Sequence, residues 1–238
     1  MKKRTALHPY TPIILPNWAA PTQIKSLFTT KLQDPYATQT LAKYLPKAAD
    51  FKRAIDPVRL HQTHSAIVHR IDKKVQGLLG DALVTSAINL PCSIEVADCV
   101  PVLLCSENGK EIAAIHAGWR GLLAGVIGNT TKSLATPPSK IKAWIGPAIS
   151  KSVYSVGNDL RKSFYQRNPY YGNFFEEIKN KIYFDLREAV NYTLQSSGIS
   201  NISQTSRCVY QESESFFSFR REKNKDRMIG IIWISDDP

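Results

Sequence analysis

Residues 92–105 read CSIEVADCVPVLLC, a mostly continuous apolar run that is interrupted by Glu95, Asp98 and Pro101. A run of this kind predicts one strand that is buried on both faces. A buried carboxylate costs free energy unless it is paired. We therefore expect Asp98 to have one of two roles. It joins a site beside Cys99 if a bulge or Pro101 bends the chain there, and otherwise it anchors a backbone N–H group.

Further elements are predicted on both sides of this run. Strand patterns cover Ile24–Thr30, His64–Ile71, Ala82–Thr85, Glu111–His116, Ala143–Pro147, Cys208–Tyr210 and Met228–Ile234. Helical spacing occurs in residues 31–57 and 122–134, and between Tyr183 and Gly198, where Asp185 is the expected N-cap. Because helices and strands mix without a strict βαβ rhythm, we predict an α+β fold with mixed β-sheets and a single domain over residues 1–238.

The composition is that of a globular protein. The 238 residues are 43% hydrophobic and 21% charged, which argues against a disordered chain. Three of the four cysteines lie in the apolar run, so we expect reduced thiols rather than a disulfide framework. The basic N-terminus runs into prolines, and no stretch reaches the roughly 18 apolar residues of a membrane helix. We expect a cytoplasmic protein with no membrane partner.

The formal net charge of +11 raises the question of a nucleic-acid partner. The lysines and arginines are dispersed, however, and no known DNA-binding or RNA-binding motif accompanies them. A basic surface that favours anionic small molecules is the preferred interpretation, and no nucleic-acid partner is expected.

Two histidines and one cysteine stand in unusual local contexts. His64 ends the string Leu-His-Gln-Thr-His, Cys99 follows Asp98, and His116 precedes Gly-Trp-Arg-Gly after four apolar residues. Two imidazoles and a thiolate are ligands that zinc takes, and three protein ligands leave a coordination position open for catalysis. Pairing of the strands around a turn at residues 107–110 would bring Cys99 close to His116, but His64 must come from farther away. If the segment around His61 were helical, His61 and His64 could share an ion without Cys99.

Arg120 lies at the expected start of a helix, where free N–H groups and the helix dipole favour anions. A guanidinium there could clamp a phosphate or carboxylate with two hydrogen bonds. An arginine that caps its own loop is an equally good interpretation.

Six strings of the chain resemble the laccase-domain family, which is also called the YfiH-like or multicopper polyphenol oxidase family and is now regarded as purine nucleoside phosphorylases. They are Gln62–His64, Gly80–Thr85, Ala97–Val102, His116–Gly121, Ile145–Pro147 and Phe216–Arg221. The resemblance runs in order from about residue 24 to residue 234, nearly the whole chain.

The resemblance implies a metal site of two histidines and one cysteine, which correspond here to His64, Cys99 and His116. It also implies αββα-type layers with mixed sheets. The implied activities are phosphorolysis of adenosine, inosine, guanosine and methylthioadenosine and deamination of adenosine. Copper-dependent phenol oxidation and editing of peptidoglycan precursors are also attached to the family.

The chain departs from the family pattern after its first strand, where Lys31 stands in place of the usual Arg and the Gly-rich turn is missing. A lysine keeps the charge but lacks the planar fork of the guanidinium. Ser65 also replaces a Gly after the first metal-ligand His, and Lys225-Asp226-Arg227 replaces Thr-Gly-Arg.

From these residues we hypothesise a mechanism. Zinc, or alternatively copper, would be held by the triad and would lower the pKa of bound water or act as a Lewis acid. Phosphate would be bound by Arg120 and Lys31, together with Arg220, and Asp98 is the candidate general acid–base beside the catalytic Cys99. Purine nucleosides and phosphate are the expected partners.

The sequence leaves two alternative functions open. The protein could be a copper-dependent polyphenol oxidase, or a catalytically inactive protein that the metal merely stabilises. A single triad lacks the several copper ligands that four-electron oxygen reduction requires. The sequence leaves the oligomeric state, the native metal and the preferred nucleoside open.

Overall fold

A computed structural model describes residues 13–31 and 56–236 of the chain. In chain order the strands are β1 (Ile13–Ile14), β2 (Ile24–Thr29), β3 (Val68–Ile71), β4 (Ala82–Thr85), β5 (Cys92–Val96), β6 (Val100–Ser106), β7 (Ile112–Ala117), β8 (Ile141–Ile145), β9 (Ser155–Val156), β10 (Phe175–Ile178), β11 (Lys181–Phe184), β12 (Asn201–Gln204) and β13 (Met228–Ile234). The helices are α1 (Trp119–Ala124), α2 (Val126–Ser133), α3 (Asn158–Arg167), α4 (Leu186–Ser196) and α5 (Phe219–Glu222), and short 3₁₀ turns lie at Pro138–Lys140, Lys151–Val153 and Pro169–Phe174.

The strands form two large sheets and one small one. The six-stranded sheet has the order β12-β8-β6-β7-β4-β3, the four-stranded sheet β1-β2-β13-β5, and the three-stranded sheet β10-β11-β9. Pairing in the six-stranded sheet is antiparallel except for the parallel pairs β12–β8 and β3–β4. The predicted α+β fold with mixed sheets is confirmed.

The core lies between the two large sheets. Strands β5 and β13 of one sheet pack against β6 and β7 of the other, and β6, β7 and β13 are buried over their whole length. Helix α2 packs on β3, β4 and β7, and α4 packs on α2 and β6. Helices α2 and α4, the six-stranded sheet and the four-stranded sheet thus form three successive layers, in the order that an αββα-type arrangement requires. The helical pattern expected for residues 31–57 falls almost entirely outside the described residues.

The prediction of one strand over residues 92–105 is wrong. The run forms β5 and β6, which belong to different sheets and are separated by a bend at residues 97–99. Asp98 has a φ of +100° there, a left-handed conformation that no strand contains. An apolar run shows that a segment is buried, but it does not show in which sheet. Cys99 consequently lies where the chain passes from one sheet to the other.

Other boundaries differ in smaller ways. The single helix expected over residues 122–134 is the pair α1 and α2, broken at Gly125, whose φ is +99°. The strand expected at Cys208–Tyr210 is only an isolated bridge between Ala148 and Cys208. By contrast, α4 begins as predicted, because the Asp185 side chain accepts a hydrogen bond from the Glu188 N–H at 3.1 Å.

Within the described residues, no helix is both long enough and apolar enough to cross a membrane.

Candidate metal centre and its cavity

The structure brings His64, Cys99 and His116 together. One ligand atom from each side chain lies within 4.8 Å of those of the other two. Cys99 Sγ is 3.8 Å from His64 Nε2, and the centroids of the two imidazole rings are 4.8 Å apart in an edge-to-face arrangement. Two imidazole nitrogens and a sulfur at this spacing fit a zinc or copper ion as a three-ligand site with an open position.

Each ligand comes from a different part of the fold. His116 lies in β7 and is buried, and Cys99 directly precedes β6. Pro101 of β6 pairs with His116, so the hairpin between β6 and β7 sets the level of both ligands, as the sequence predicts. His64 lies in an exposed bend before β3 and has a φ of +58°. That segment is not helical, and His61 is not part of the group.

The carboxylate of Asp81 organises both histidines. It accepts hydrogen bonds from His116 Nδ1 at 2.7 Å, from the His64 N–H at 3.0 Å, and from the Ser65 N–H and Oγ at 2.6 and 2.7 Å. Because Nδ1 of His116 is held by Asp81, Nε2 remains as the ligand atom. A carboxylate that orients a histidine in this way is the usual support of a metal ligand.

The electrostatics favour the thiolate of Cys99. Burial raises the pKa of this thiol, but the charges of His116 and His64 and their hydrogen bonds more than offset burial and lower the pKa to about 6. Burial lowers the pKa of His116, whereas Cys99 and Asp81 raise it to about 9. The pKa of Asp81 lies well below its ordinary value, although burial alone would raise it, because His116 and Ser65 bond to the carboxylate. The thiolate is the form of cysteine that binds metals, and binding an ion here would displace the His116 proton.

Gly118 leaves room for the ligands. A Cβ atom at this position would lie 2.9 Å from both Cys99 Sγ and His64 Cδ2 and 3.7 Å from His116 Cε1. Real Cβ atoms do not approach other atoms so closely, so any other residue would push the ligands apart. The Gly in the string His-Ala-Gly-Trp-Arg-Gly is therefore part of the site.

The three ligands lie in a cavity of about 690 Å³. This volume is in the range of pockets that bind small organic ligands. Apolar and aromatic side chains on its walls are Leu60, Trp119, Tyr154 and Phe219, and the cationic ones are Arg120, Arg220, Lys223 and Arg227. A metal ion held by the triad would be reached from this cavity.

Of the three residues expected to bind phosphate, Arg120 and Arg220 line the cavity and Lys31 does not. Arg120 is exposed, lines the cavity, and its guanidinium lies 4.1 Å from the centre of the Trp119 ring. Lys31 is not among the cavity-lining residues, and its ammonium pairs with Glu222 at 2.8 Å.

The structure agrees with both roles considered for Asp98, because the bend at residues 97–99 brings it to the cavity wall beside Cys99 and its carboxylate also anchors a backbone N–H group. Its two carboxylate oxygens accept hydrogen bonds from Ser218 Oγ and from the Arg220 N–H, each at 2.6 Å. It therefore anchors the start of α5, which carries Phe219 and Arg220 into the cavity wall.

Several residues of the site escape the sequence analysis. Asp81, Phe219 and Arg227 lie in strings that are compared with the family, but the sequence assigns no role to them. Tyr154 and Lys223 come from segments with no catalytic pattern. The buried carboxylate directly before a buried strand is the one signal that could have pointed to Asp81, because such a group needs partners.

Known proteins are similar in sequence to this chain over most of its length. Residues 31–235 match the family described as multi-copper polyphenol oxidoreductase laccase. The chain is 32% identical to a protein of Shigella flexneri named purine nucleoside phosphorylase YfiH, over 93% of this chain and 98% of that protein. It is 33% identical to a purine nucleoside phosphorylase of Haemophilus influenzae, over 92% and 98% of the two chains.

Solved structures agree with the fold. A crystal structure of a Neisseria meningitidis protein superposes with a TM-score of 0.82 at 30% identity and covers 94% of this chain and 99% of its own. A Bacillus licheniformis protein titled hypothetical protein YfiH has a TM-score of 0.73 at 26% identity and covers 90% and 93%.

Proposed function

This chain belongs to the multi-copper polyphenol oxidoreductase laccase family, and from that premise we propose that it is a metal-dependent purine nucleoside phosphorylase. The names of the Shigella and Haemophilus relatives support the proposal. The observation that carries it is the convergence of His64, Cys99 and His116 in a cavity that Arg120 also lines. Such a cavity combines a metal site with a cation that suits an anionic co-substrate.

The proposed metal is zinc, with copper as the alternative, because two imidazoles and one thiolate suit either ion. Bound zinc would supply Lewis-acid polarisation or a water molecule of lowered pKa. The proposed reactions are phosphorolysis of adenosine, inosine, guanosine and methylthioadenosine, and deamination of adenosine to inosine. The proposed location is the cytoplasm.

In phosphorolysis a phosphate oxygen forms a bond to the ribose C1′ while the bond from C1′ to the purine nitrogen breaks, and the leaving base takes up a proton. We assign phosphate binding to Arg120, whose guanidinium stands at the cavity without a carboxylate partner within residues 13–31 and 56–236. A planar guanidinium offers phosphate two parallel hydrogen bonds. Lys31 is proposed to act with Arg120, although its ammonium pairs with Glu222.

The proposed proton donor or acceptor is Asp98, which lines the cavity beside Cys99. Each of its carboxylate oxygens accepts one hydrogen bond, from Ser218 or from Arg220, and keeps a second lone pair that can exchange a proton with the substrate. Asp98 therefore has a positioning role as well, because it holds the start of α5.

The rival with support from the family description is a copper-dependent polyphenol oxidase. Editing of peptidoglycan precursors and a purely structural metal are further alternatives. Metal analysis, together with product analysis using adenosine plus phosphate, a phenol and a peptidoglycan precursor in turn, separates all four, since each predicts a different product or a lack of turnover.

The test is metal analysis of the purified protein together with product analysis after incubation with adenosine and phosphate. We expect stoichiometric zinc, release of adenine and ribose 1-phosphate, and formation of inosine. Cys99→Ala removes one ligand and should abolish both metal binding and turnover. Cys105→Ala is the matched control, because it removes a thiol of the same buried region at the far end of β6, opposite Ile112. Unchanged metal content and turnover in Cys99→Ala would refute the proposal, and copper with phenol oxidation would support the oxidase.

A further inference from the structure

The cavity wall carries more positive charge than its acidic residues balance. Its cationic side chains are Arg120, Arg220, Lys223 and Arg227. No carboxylate within residues 13–31 and 56–236 forms an ion pair with any of them. Close by, Lys31 and Arg221 both pair with Glu222, at 2.8 and 2.9 Å. The four cations of the cavity wall thus have no carboxylate partner among the described residues, whereas Lys31 and Arg221, which do not line the cavity, share one.

Lys223 has an unfavourable backbone conformation. It is the C-cap of α5 and has a φ of +57°, a position at which Gly is usual because it has no Cβ atom. A positive φ does not by itself indicate a role, because Lys179 also has one, at +48°. At Lys223 the side chain is an exposed ammonium on the cavity wall.

Phe219 holds two of the cations near each other. The ammonium of Lys223 lies 5.2 Å from the centre of its ring, and the guanidinium of Arg227 lies 5.7 Å from the same centre. Arg227 is further fixed by hydrogen bonds to the carbonyl groups of Asn224 and Asp226, at 3.1 and 2.8 Å. The Phe219 ring is 47% exposed. It thereby fixes the positions of a lysine and an arginine without neutralising their charge.

We propose that Lys223 and Arg227 form a subsite for a phosphate monoester, so that the cavity binds purine nucleoside 5′-monophosphates as well as nucleosides. The proposal rests on the purine site of the proposed function. Orthophosphate and its bidentate arginine, Arg120 in α1, use only part of the positive charge. Lys223 and Arg227 lie on a different element, the end of α5 and the turn after it, and a second phosphate group would match their charge.

The test is the affinity for adenosine 5′-monophosphate of the metal-loaded wild-type protein and of Lys223→Gly. Gly adopts a positive φ freely, so this variant is expected to fold at least as well as the wild type. We expect its affinity for the monophosphate to fall roughly tenfold, whereas KM for adenosine and for orthophosphate stays within about twofold.

Lys179→Gly is the matched control, because Lys179 is an exposed lysine with a φ of +48° in the turn between β10 and β11. It loses the same charge at the same kind of backbone position, and it should bind the monophosphate as the wild type does.

Three results would overturn the subsite. The first is an affinity for adenosine 5′-monophosphate that is equal in Lys223→Gly and the wild type, and the second is an equal loss of this affinity in Lys223→Gly and Lys179→Gly. The third is a raised KM for orthophosphate in Lys223→Gly, which would assign Lys223 and Arg227 to the binding of the co-substrate. A protein that binds the monophosphate through Lys223 but does not turn over adenosine would refute the proposed function and leave the subsite standing.

Discussion

At the residue scale, Asp81 is the group on which both histidines depend. Asparagine at this position keeps the size of the side chain but replaces one of the two accepting oxygens by an NH₂ group. That group cannot accept the hydrogen bonds that the carboxylate now receives from the Ser65 N–H and Oγ, the His64 N–H and His116 Nδ1. We expect Asp81→Asn to weaken metal binding about 10- to 100-fold, since second-layer carboxylates of this kind typically contribute that much. Competition with a chromophoric chelator measures the affinity.

The control is Asp56→Asn, which removes an exposed carboxylate that pairs with Lys74. Metal affinity should not change in this variant. Equal affinities in the two variants would show that Asp81 does not support the site.

Gly118 gives a second prediction at this scale. Gly118→Ala places a methyl group 2.9 Å from Cys99 Sγ and His64 Cδ2, so the ligands must separate and metal binding should be lost. Metal content after purification checks this. Gly128→Ala is the matched control: it adds the same methyl group in α2, where nothing lies within 4 Å. It should keep the metal and gain about 0.5–1 kcal/mol in stability, because alanine is the better helix former.

The residues of the metal site could be predicted from the sequence in part. His64, Cys99 and His116 are chemically distinctive residues in a mostly apolar chain, and the structure brings these three together. Asp81 was not predictable, because its role depends on contacts with a loop and a strand that are 16 to 35 positions away in the sequence.

At the scale of elements, Glu111 ties the start of β7 to two other segments. Its carboxylate accepts hydrogen bonds from Arg70 of β3 at 2.6 Å and from the N–H groups of Ala135 and Thr136, both at 2.9 Å. Burial raises the pKa of Glu111, but the hydrogen bonds of Ala135, Arg70 and Thr136 outweigh burial and lower the pKa below 4.5. Its stabilising contribution is therefore complete above about pH 4.5 and is lost as the pH falls through the lowered native pKa.

We expect Glu111→Gln to reduce the free energy of unfolding by about 1–3 kcal/mol at pH 7. The difference from the wild type should shrink as the pH falls below 4.5, which denaturant titrations at a series of pH values measure. Glu107→Gln, at the exposed pair with Lys140, should change stability by less than about 1 kcal/mol at any pH. A difference for Glu111→Gln that is independent of pH would contradict this account.

Asp98→Asn tests how α5 is held. The asparagine tolerates the positive φ of this position but can accept only one of the two hydrogen bonds, from Ser218 or from Arg220. If Asp98 acts by positioning, KM for the nucleoside and phosphate should rise several-fold with little change in kcat. A fall in kcat of roughly 10²–10⁴ with loss of one limb of the pH–rate profile would instead support general acid–base catalysis.

The elements show where sequence patterns are sufficient. Periodicity and capping residues predict α4 and β13 well, because local spacing and the side chain of Asp185 determine them. The division of residues 92–105 between two sheets was not predictable, since it depends on which neighbours each half finds. The left-handed conformation of Asp98 marks the break, and nothing in the local sequence requires it.

At the scale of the whole molecule, the metal ligands join three distant segments of the chain. An ion that binds the native state but not the unfolded chain stabilises the fold by about 4 kcal/mol when its concentration is 1,000 times Kd. We therefore expect removal of the metal by a chelator to lower Tm by roughly 8–16 °C, given about 2–4 °C per kcal/mol for a chain of this size. Calorimetry with and without chelator measures the shift, and adding zinc back should restore it.

The control is Cys99→Ala, whose Tm should not respond to chelator or zinc. A wild-type Tm that is insensitive to both would show that the three side chains bind no ion in solution.

The position of Cys99 at the passage from β5 to β6 has one more consequence. Its sulfur is anchored by the junction of the two sheets, whereas His116 belongs to the six-stranded sheet alone. The gap between these donor atoms thus depends on the bend at residues 97–99 as well as on the β6–β7 pairing, and β5 ties that bend to the four-stranded sheet. Changing the bulk of a buried side chain of the four-stranded sheet, such as Ile94 or Ile231, should therefore alter the affinity for the ion, so that metal affinity reports on core packing.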